Sequence, residues 1–289
     1  MKEYYSVDLW ISYLQYVASQ FPTQMLSVCE EALTNCISDC IEGLRVWAIV
    51  LQWYCDHEKP EETEKMFSRM LSHPYQGIEE AYQQYVNWHE SQDLPLDEKR
   101  IEDFEKGKKE YEKRNEFEID IAGSMEMDHI TTAYHHLQDY IHFEITEMKH
   151  SVYSENRAFF LYSKYTYFFR NLVDFWNDYC LFAFNYIKIS STCYSISSKA
   201  IKHICYSGSL YEHHVLSLEL ANKKVAFLND LITSVNQQVL TTFYDYLHFY
   251  IACIASYSRR IKNGEKEAEE GLLFICDHCV DWIVFLIIV

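Results

Sequence analysis

The chain has 289 residues, 49% apolar and 16% aromatic, which is ample for a core and excludes wholesale disorder. Its 25 Lys+Arg against 43 Asp+Glu leave a net charge of −18, so it has no general attraction for a phosphate backbone. Seven glycines and four prolines exclude a many-stranded β fold and glycine-rich phosphate loops, and leave an all-α chain.

The opening Met1-Lys2-Glu3-Tyr4-Tyr5 carries an acid and no apolar run behind it, unlike a secretory leader. The first predicted helix bears Trp10, Tyr13 and Tyr16, and a second apolar-periodic segment follows over 25–35. The pattern then repeats. Trp47, Val50 and Trp53 precede a segment over 61–72, and Tyr82, Tyr85 and Trp88 precede a charged helix over 97–119. Leu137, Tyr140 and Phe143 lead into 155–166, and Trp176, Tyr179 and Phe182 into 196–205. Tyr211, His214 and Ser217 lead into 223–235, and Phe243, Tyr246 and Phe249 open the last unit. First positions fall 37, 35, 55, 39, 35 and 32 residues apart.

Steps of three rotate a helix by about −60° each, so each triplet predicts one broad buried face spanning roughly 120°. Two helices per ~35 residues, joined by short loops, predict antiparallel hairpins stacked as an α-solenoid. The 55-residue interval reads as one atypical repeat whose first helix has degenerated, with Ile101, Phe104 and Phe117 as the apolar positions of its charged helix. That helix carries Lys99, Arg100, Lys106, Lys108, Lys109, Lys113 and Arg114 among Glu98, Glu102, Asp103, Glu105, Glu110 and Glu112. Opposite signs at i, i+4 predict a solvated face laced with weak ion pairs rather than an RNA-contacting patch.

Little here carries chemistry. The ten cysteines are scattered at 29, 36, 40, 55, 180, 193, 205, 253, 276 and 279, mostly among apolar neighbours. They read as small buried hydrophobes in a reducing compartment. Cys276-Asp277-His278-Cys279 has a CxxC spacing, but a structural zinc site needs four ligands and no second CxxC exists. The histidines 129, 135, 136 and 142, and the pair His213-His214, do not converge by helical spacing, so they read as solvated or core groups. No hydrolase, P-loop or metalloprotease motif is present, and no catalytic residue, metal or cofactor is assigned. The apolar end, Trp282 to Val289, is far shorter than the ~20 residues that span a bilayer. From Gly271 on it carries no polar cap, which predicts a sticky, association-prone surface.

An aromatic helix of the Trp-x-x-Tyr-x-x-aromatic kind followed by a Phe-x-Arg-Ala-Leu-like helix resembles the half-a-tetratricopeptide (HAT) repeat. The second-helix element stands at 29–33, 67–71, 162–165 and 198–201, and weakly at 276–280. Over Glu64–Pro74 with Ile78–Trp88, over Leu137–Glu144 and over Leu172–Tyr179, the chain resembles one HAT family more closely. That family is the squamous cell carcinoma antigen recognised by T cells, type three, the U4/U6 recycling factor; the likeness fades after about residue 185.

The resemblance implies a non-catalytic RNA-processing scaffold in the nucleus, serving pre-mRNA splicing through U4/U6 snRNP recycling or assembly. Its implied partners are splicing and snRNP proteins, with self-association and ubiquitin-specific proteases reached through the later repeats. It implies a HAT array over 1–189 and the start of a second, truncated array over 190–289. The family's RNA-recognition motifs and basic nuclear-localisation segment are not in this sequence, which therefore looks like a fragment, a truncated gene model or a short isoform. The repeat positions carried over are Trp10, Tyr13, Trp47, Trp53, Tyr82, Tyr85, Trp88, Tyr140, Phe143, Trp176, Tyr179, Phe243 and Tyr246. Two readings stay open beside this one: a HAT scaffold of 3′-end cleavage or of a U1-associated complex, and a solenoid that binds RNA directly.

Overall fold

The computed structural model describes residues 5–58, 60–93, 95–96, 98–148, 156–235 and 240–288, side chains beyond 277 excepted. Among these residues the regular structure is all helical, an all-α solenoid of helix hairpins. Its helices are α1 (Val7–Gln20), α2 (Met25–Cys36), α3 (Gly43–His57), α4 (Pro60–Leu71), α5 (Ile78–Ser91), α6 (Glu98–Glu126) and α7 (Ile130–Glu147). They continue as α8 (Arg157–Phe169), α9 (Val173–Phe182), α10 (Ser190–His203), α11 (Gly208–Leu220), α12 (Val225–Val235), α13 (Phe243–Lys262) and α14 (Glu267–Ile288). Two compact units divide them, residues 1–167 and 168–289, with the boundary inside α8.

Local chemistry sets the helix ends. The Ser6 hydroxyl accepts from the Leu9 N–H at the start of α1, and Thr242 does the same for Asp245 at the start of α13. Pro60 opens α4, followed by Glu61 and Glu62, where the helix dipole favours acid. With so few glycines, Asp93, Asp128, Lys188 and Asn222 supply most of the left-handed residues between helices. After α9 the chain makes a π-helical turn over Ala183–Ile187, in which the Lys188 N–H reaches the Ala183 carbonyl five residues back.

Within each unit the repeat is also written in cross-helix contacts. In the first, Arg45 of α3 pairs with Asp8 of α1, and Arg69 of α4 pairs with Glu30 of α2. In the second, His248 and Arg259 of α13 meet Glu212 and Glu219 of α11. Each joins successive hairpins 36 to 40 positions apart, and the two contacts between α11 and α13 follow the same order, so these helices run parallel. Glycine lets two of these crossings close. A Cβ on Gly208 would lie 2.1 Å from the Asp245 carbonyl oxygen, and one on Gly107 would lie 3.0 Å from the carbonyls of Leu71 and His73.

The aromatic positions divide into seam and rim. Trp10, Trp47, Tyr85, Tyr140, Trp176, Tyr179 and Tyr246 are buried, whereas Tyr13, Trp53, Tyr82, Trp88 and Phe143 are half-buried. The broad buried triplet face needs correction at two ends, where Tyr16 and Phe243 stand at the surface, 54% and 46% exposed. The reason is geometric: each step of three drifts from the seam, which in α1 follows i, i+4, i+7, as in Trp10, Leu14 and Val17, whereas Trp176, Tyr179 and Phe182 stay buried throughout. The two fully buried tryptophans satisfy their indole N–H. Trp47 donates to Tyr75 Oη at 2.8 Å, and Trp176 to the Arg170 carbonyl at 2.8 Å.

The charged helix departs most from expectation. α6 runs to Glu126 and directly follows α5, so among the described residues the charged helix is the lengthened second helix of that hairpin and not an additional one from a repeat with a lost first helix. Its inward residues are Gly107, Glu110, Arg114, Glu118, Ile121 and Ser124, at steps of three and four. Ile101 is exposed, and Phe104 and Phe117 are half-buried.

Candidate functional site

The sequence offers a histidine cluster over 129–142, and the structure does not bring those rings together. His129, His135 and His142 are exposed, His136 is half-buried, and the His135 ring makes a local bond to Gln138 at 3.1 Å. Cys276 is exposed on α14, while the side chains of His278 and Cys279, like the apolar end beyond them, lie outside the described residues. Among the described residues no three His, Cys, Asp or Glu side chains are placed to hold a metal ion.

A nucleophile-and-base arrangement between helices forms in the second unit. Ser197 Oγ of α10 lies 3.0 Å from His214 Nδ1 of α11 and 2.7 Å from Ser217 Oγ, and Ser217 donates to the His214 carbonyl. Burial depresses the imidazole to about 4, so it is neutral at pH 7 and acts as a hydrogen-bond partner. Both serines are fully buried, so in this conformation their hydroxyls meet no substrate. Chemically the cluster is a polar core contact in two aromatic slots of the repeat. The sequence carried its signal, because His214 and Ser217 stand where the pattern elsewhere places rings.

The first unit holds a larger polar centre, which reading α6 as a solvated helix missed. Arg114 is fully buried and grips Glu144 of α7 through two bonds, 2.7 Å from Nε and 3.0 Å from Nη2. Its Nη1 reaches Glu110 at 2.7 Å, and Arg157 of α8 reaches the same Glu144 at 3.0 Å. Phe143 lies under the Arg114 guanidinium at 5.4 Å, and Phe117 stacks on Tyr140 at 5.0 Å.

A second group adjoins it. Lys164 Nζ lies 3.3 Å from Asp39 and 3.1 Å from Glu118, and Glu118 also accepts from Tyr165 and from the Cys40 thiol. Tyr5 donates to Asp39 at 2.8 Å, while the Ile41 and Glu42 N–H groups donate to the other carboxylate oxygen. Burial alone would raise the Asp39 carboxyl, but Lys164 and these hydrogen bonds hold it below its ordinary value. Burial pushes the Cys40 thiol up to about 11, so it is protonated and unreactive where it sits.

The outer faces differ as much as the interiors. Residues 1–167 carry 15 Lys+Arg against 31 Asp+Glu, and 168–289 carry 10 against 12. In the first unit several α6 cations are engaged with acids, Arg100 with Asp103, Lys108 with Glu79 and Lys113 with Glu110. In the second, α13 exposes Tyr244, Leu247 and Ile251 along one face, with Leu216 and Leu220 exposed on parallel α11. Such a stripe, with the Arg259–Glu219 ion pair spanning the two helices, is suited to apolar protein contact.

Comparison with known proteins agrees with this architecture. Residues 2–87 match the family model of the PRP39 N-terminal HAT repeat, so this stretch is similar to HAT repeats. The fold is similar to a crystal structure of CSTF-77, at 15% identity and a TM-score of 0.56. The match covers 94% of this chain and 58% of that one, so this chain spans well under two thirds of that structure's length. No curated protein sequence matches it. No helix among the described residues is long and apolar enough to cross a membrane.

Proposed function

We propose that this HAT-repeat chain is a non-catalytic protein-interaction scaffold of an RNA-processing assembly. The observation that carries this reading is the destination of the chemistry-bearing side chains. Buried Arg114 and Glu144, and buried Ser197 and His214, bond one another inside the units, and what faces outward is an acidic surface on one unit and an apolar stripe on the other. Such surfaces recognise proteins by shape and charge rather than transform small molecules.

Within that class we favour a nuclear splicing factor of the U4/U6 recycling type, on the resemblance over 64–88, 137–144 and 172–179. The match to a PRP39-type repeat supports a splicing role without separating U4/U6 from other snRNPs. The likeness to CSTF-77 favours a second reading, a scaffold of mRNA 3′-end cleavage. The proposal keeps two arrays, 1–189 and 190–289, and treats the aromatic repeat positions as structural. Partners are assigned to outer faces such as Leu247 and Ile251, with snRNP proteins, ubiquitin-specific proteases and a second copy of the chain as candidates.

Capture from nuclear extract with the intact chain, against a Leu247→Glu/Ile251→Glu variant, tests the reading. Recovery of snRNP proteins by the intact chain and their loss with the variant supports the splicing form, and recovery of cleavage factors supports the rival. An anisotropy titration with U6 or generic RNA should show no binding tighter than ~10 µM at physiological salt. Sub-micromolar affinity would replace the protein scaffold with an RNA-binding solenoid.

A further inference from the structure

In a helical repeat array each hairpin touches its neighbours, and contacts between distant hairpins are not required for the fold. The first unit has such contacts. Asp39, in the turn after the first hairpin, meets Lys164 of α8 across 125 positions of sequence. Cys40 beside it contacts Tyr140 of α7 and Glu118 of α6, at separations of 100 and 78. Tyr5, just before α1, sets its ring edge-on against Phe160 of α8 at 4.9 Å while its hydroxyl holds Asp39.

We propose that Tyr5, Asp39, Glu118 and Lys164 form a latch that binds the first hairpin of this unit to its last helix, so that the two ends open together. The Lys164 ammonium touches both carboxylates, and Asp39 and Glu118 are both buried. Without it two acids face each other in a dry setting, which favours separation of the elements that carry them. Asp39 also accepts from the Ile41 and Glu42 N–H groups ahead of α3, so movement of Asp39 disturbs the entry of the second hairpin too. The latch thereby converts a row of hairpins into one cooperative block, with Cys40 sealed beneath it.

Hydrogen exchange of the intact chain, followed by mass spectrometry, tests this together with maleimide labelling of Cys40. In Lys164→Met, amides of α2 and of α8 should both exchange at least about tenfold faster, and Cys40 should label faster in step. Tyr5→Phe keeps every charge and removes one hydrogen bond to Asp39. In that milder variant both segments should speed up by about threefold or more. If α8 loosens in either variant while α2 and Cys40 keep their wild-type protection, the hairpins open independently and the latch does not exist.

Discussion

Residues 1–167 and 168–289 build helix hairpins on similar aromatic spacing, yet they differ in the polar groups they bury. The first unit is strongly acidic outside and seals guanidinium–carboxylate pairs inside, at Arg114, Glu144 and Arg157. The second is close to neutral, and its buried polar groups include the uncharged cluster Ser197, His214 and Ser217. A buried ion pair is intolerant of losing one member, since the other is then stranded. A hydroxyl–imidazole cluster leaves no stranded charge when cut, but it is exposed to another insult, the proton.

Arg114→Met should therefore produce the largest change, a loss of about 3–5 kcal/mol, because Glu144 loses a bidentate partner. Calorimetry of the intact chain would read it as an earlier transition of the first unit. A similar loss from Ser197→Ala would erase the contrast between the units. Acid supplies the next effect. His214 is depressed to about 4 in the folded chain and stands near 6.5 when unfolded, so the unfolded state binds the proton first. Its contribution is intact above pH 6.5 and is lost as the pH falls through 4, a total of about 3 kcal/mol. Amide exchange in α11 should accelerate across that window, and His214→Asn should flatten the dependence. His73 of the first unit is also depressed to about 4, chiefly by burial, so that unit shares part of the slope. Asp39, held below its ordinary value, adds to the loss only at still lower pH.

Glycine substitutions sharpen the comparison at smaller scale. Gly208→Ala should cost about 1–3 kcal/mol, since its Cβ would strike the Asp245 backbone. Gly123→Ala, with no heavy atom within 4 Å of the new carbon, should stabilise α6 by about 0.5–1 kcal/mol. Smallest of all, Phe243→Ala should shift stability by no more than about 0.5 kcal/mol, whereas Tyr246→Ala, on the buried side of the same helix, should cost several times more. Chemical denaturation curves rank all four.

The helices and their pairing were legible because rings at helical spacing betray a buried face wherever they occur. Their limits were less so. Whether Tyr16 or Phe243 joins the seam depends on how far three-residue steps drift before a neighbouring helix ends the contact. The charged helix was opaque for a deeper reason. Glu110, Lys113 and Arg114 make the same i, i+3 and i, i+4 pattern whether water or protein surrounds them. What buries Arg114 is Glu144, thirty positions away on α7, and no local window contains both.

The π-helical turn at Ala183–Ile187 bears on how this chain can vary in length. A hydrogen-bonded ring of that kind holds one residue more than an α turn, so the segment absorbs a surplus residue without rotating the next helix. A one-residue deletion there should convert the turn to α geometry and leave both flanking helices in place, whereas the same deletion inside α11 would carry Ser217 and Leu218 off their buried face. Any alignment of fixed period laid across α9 slips by one position at this point. It is the same stretch where the family likeness fades, near residue 185.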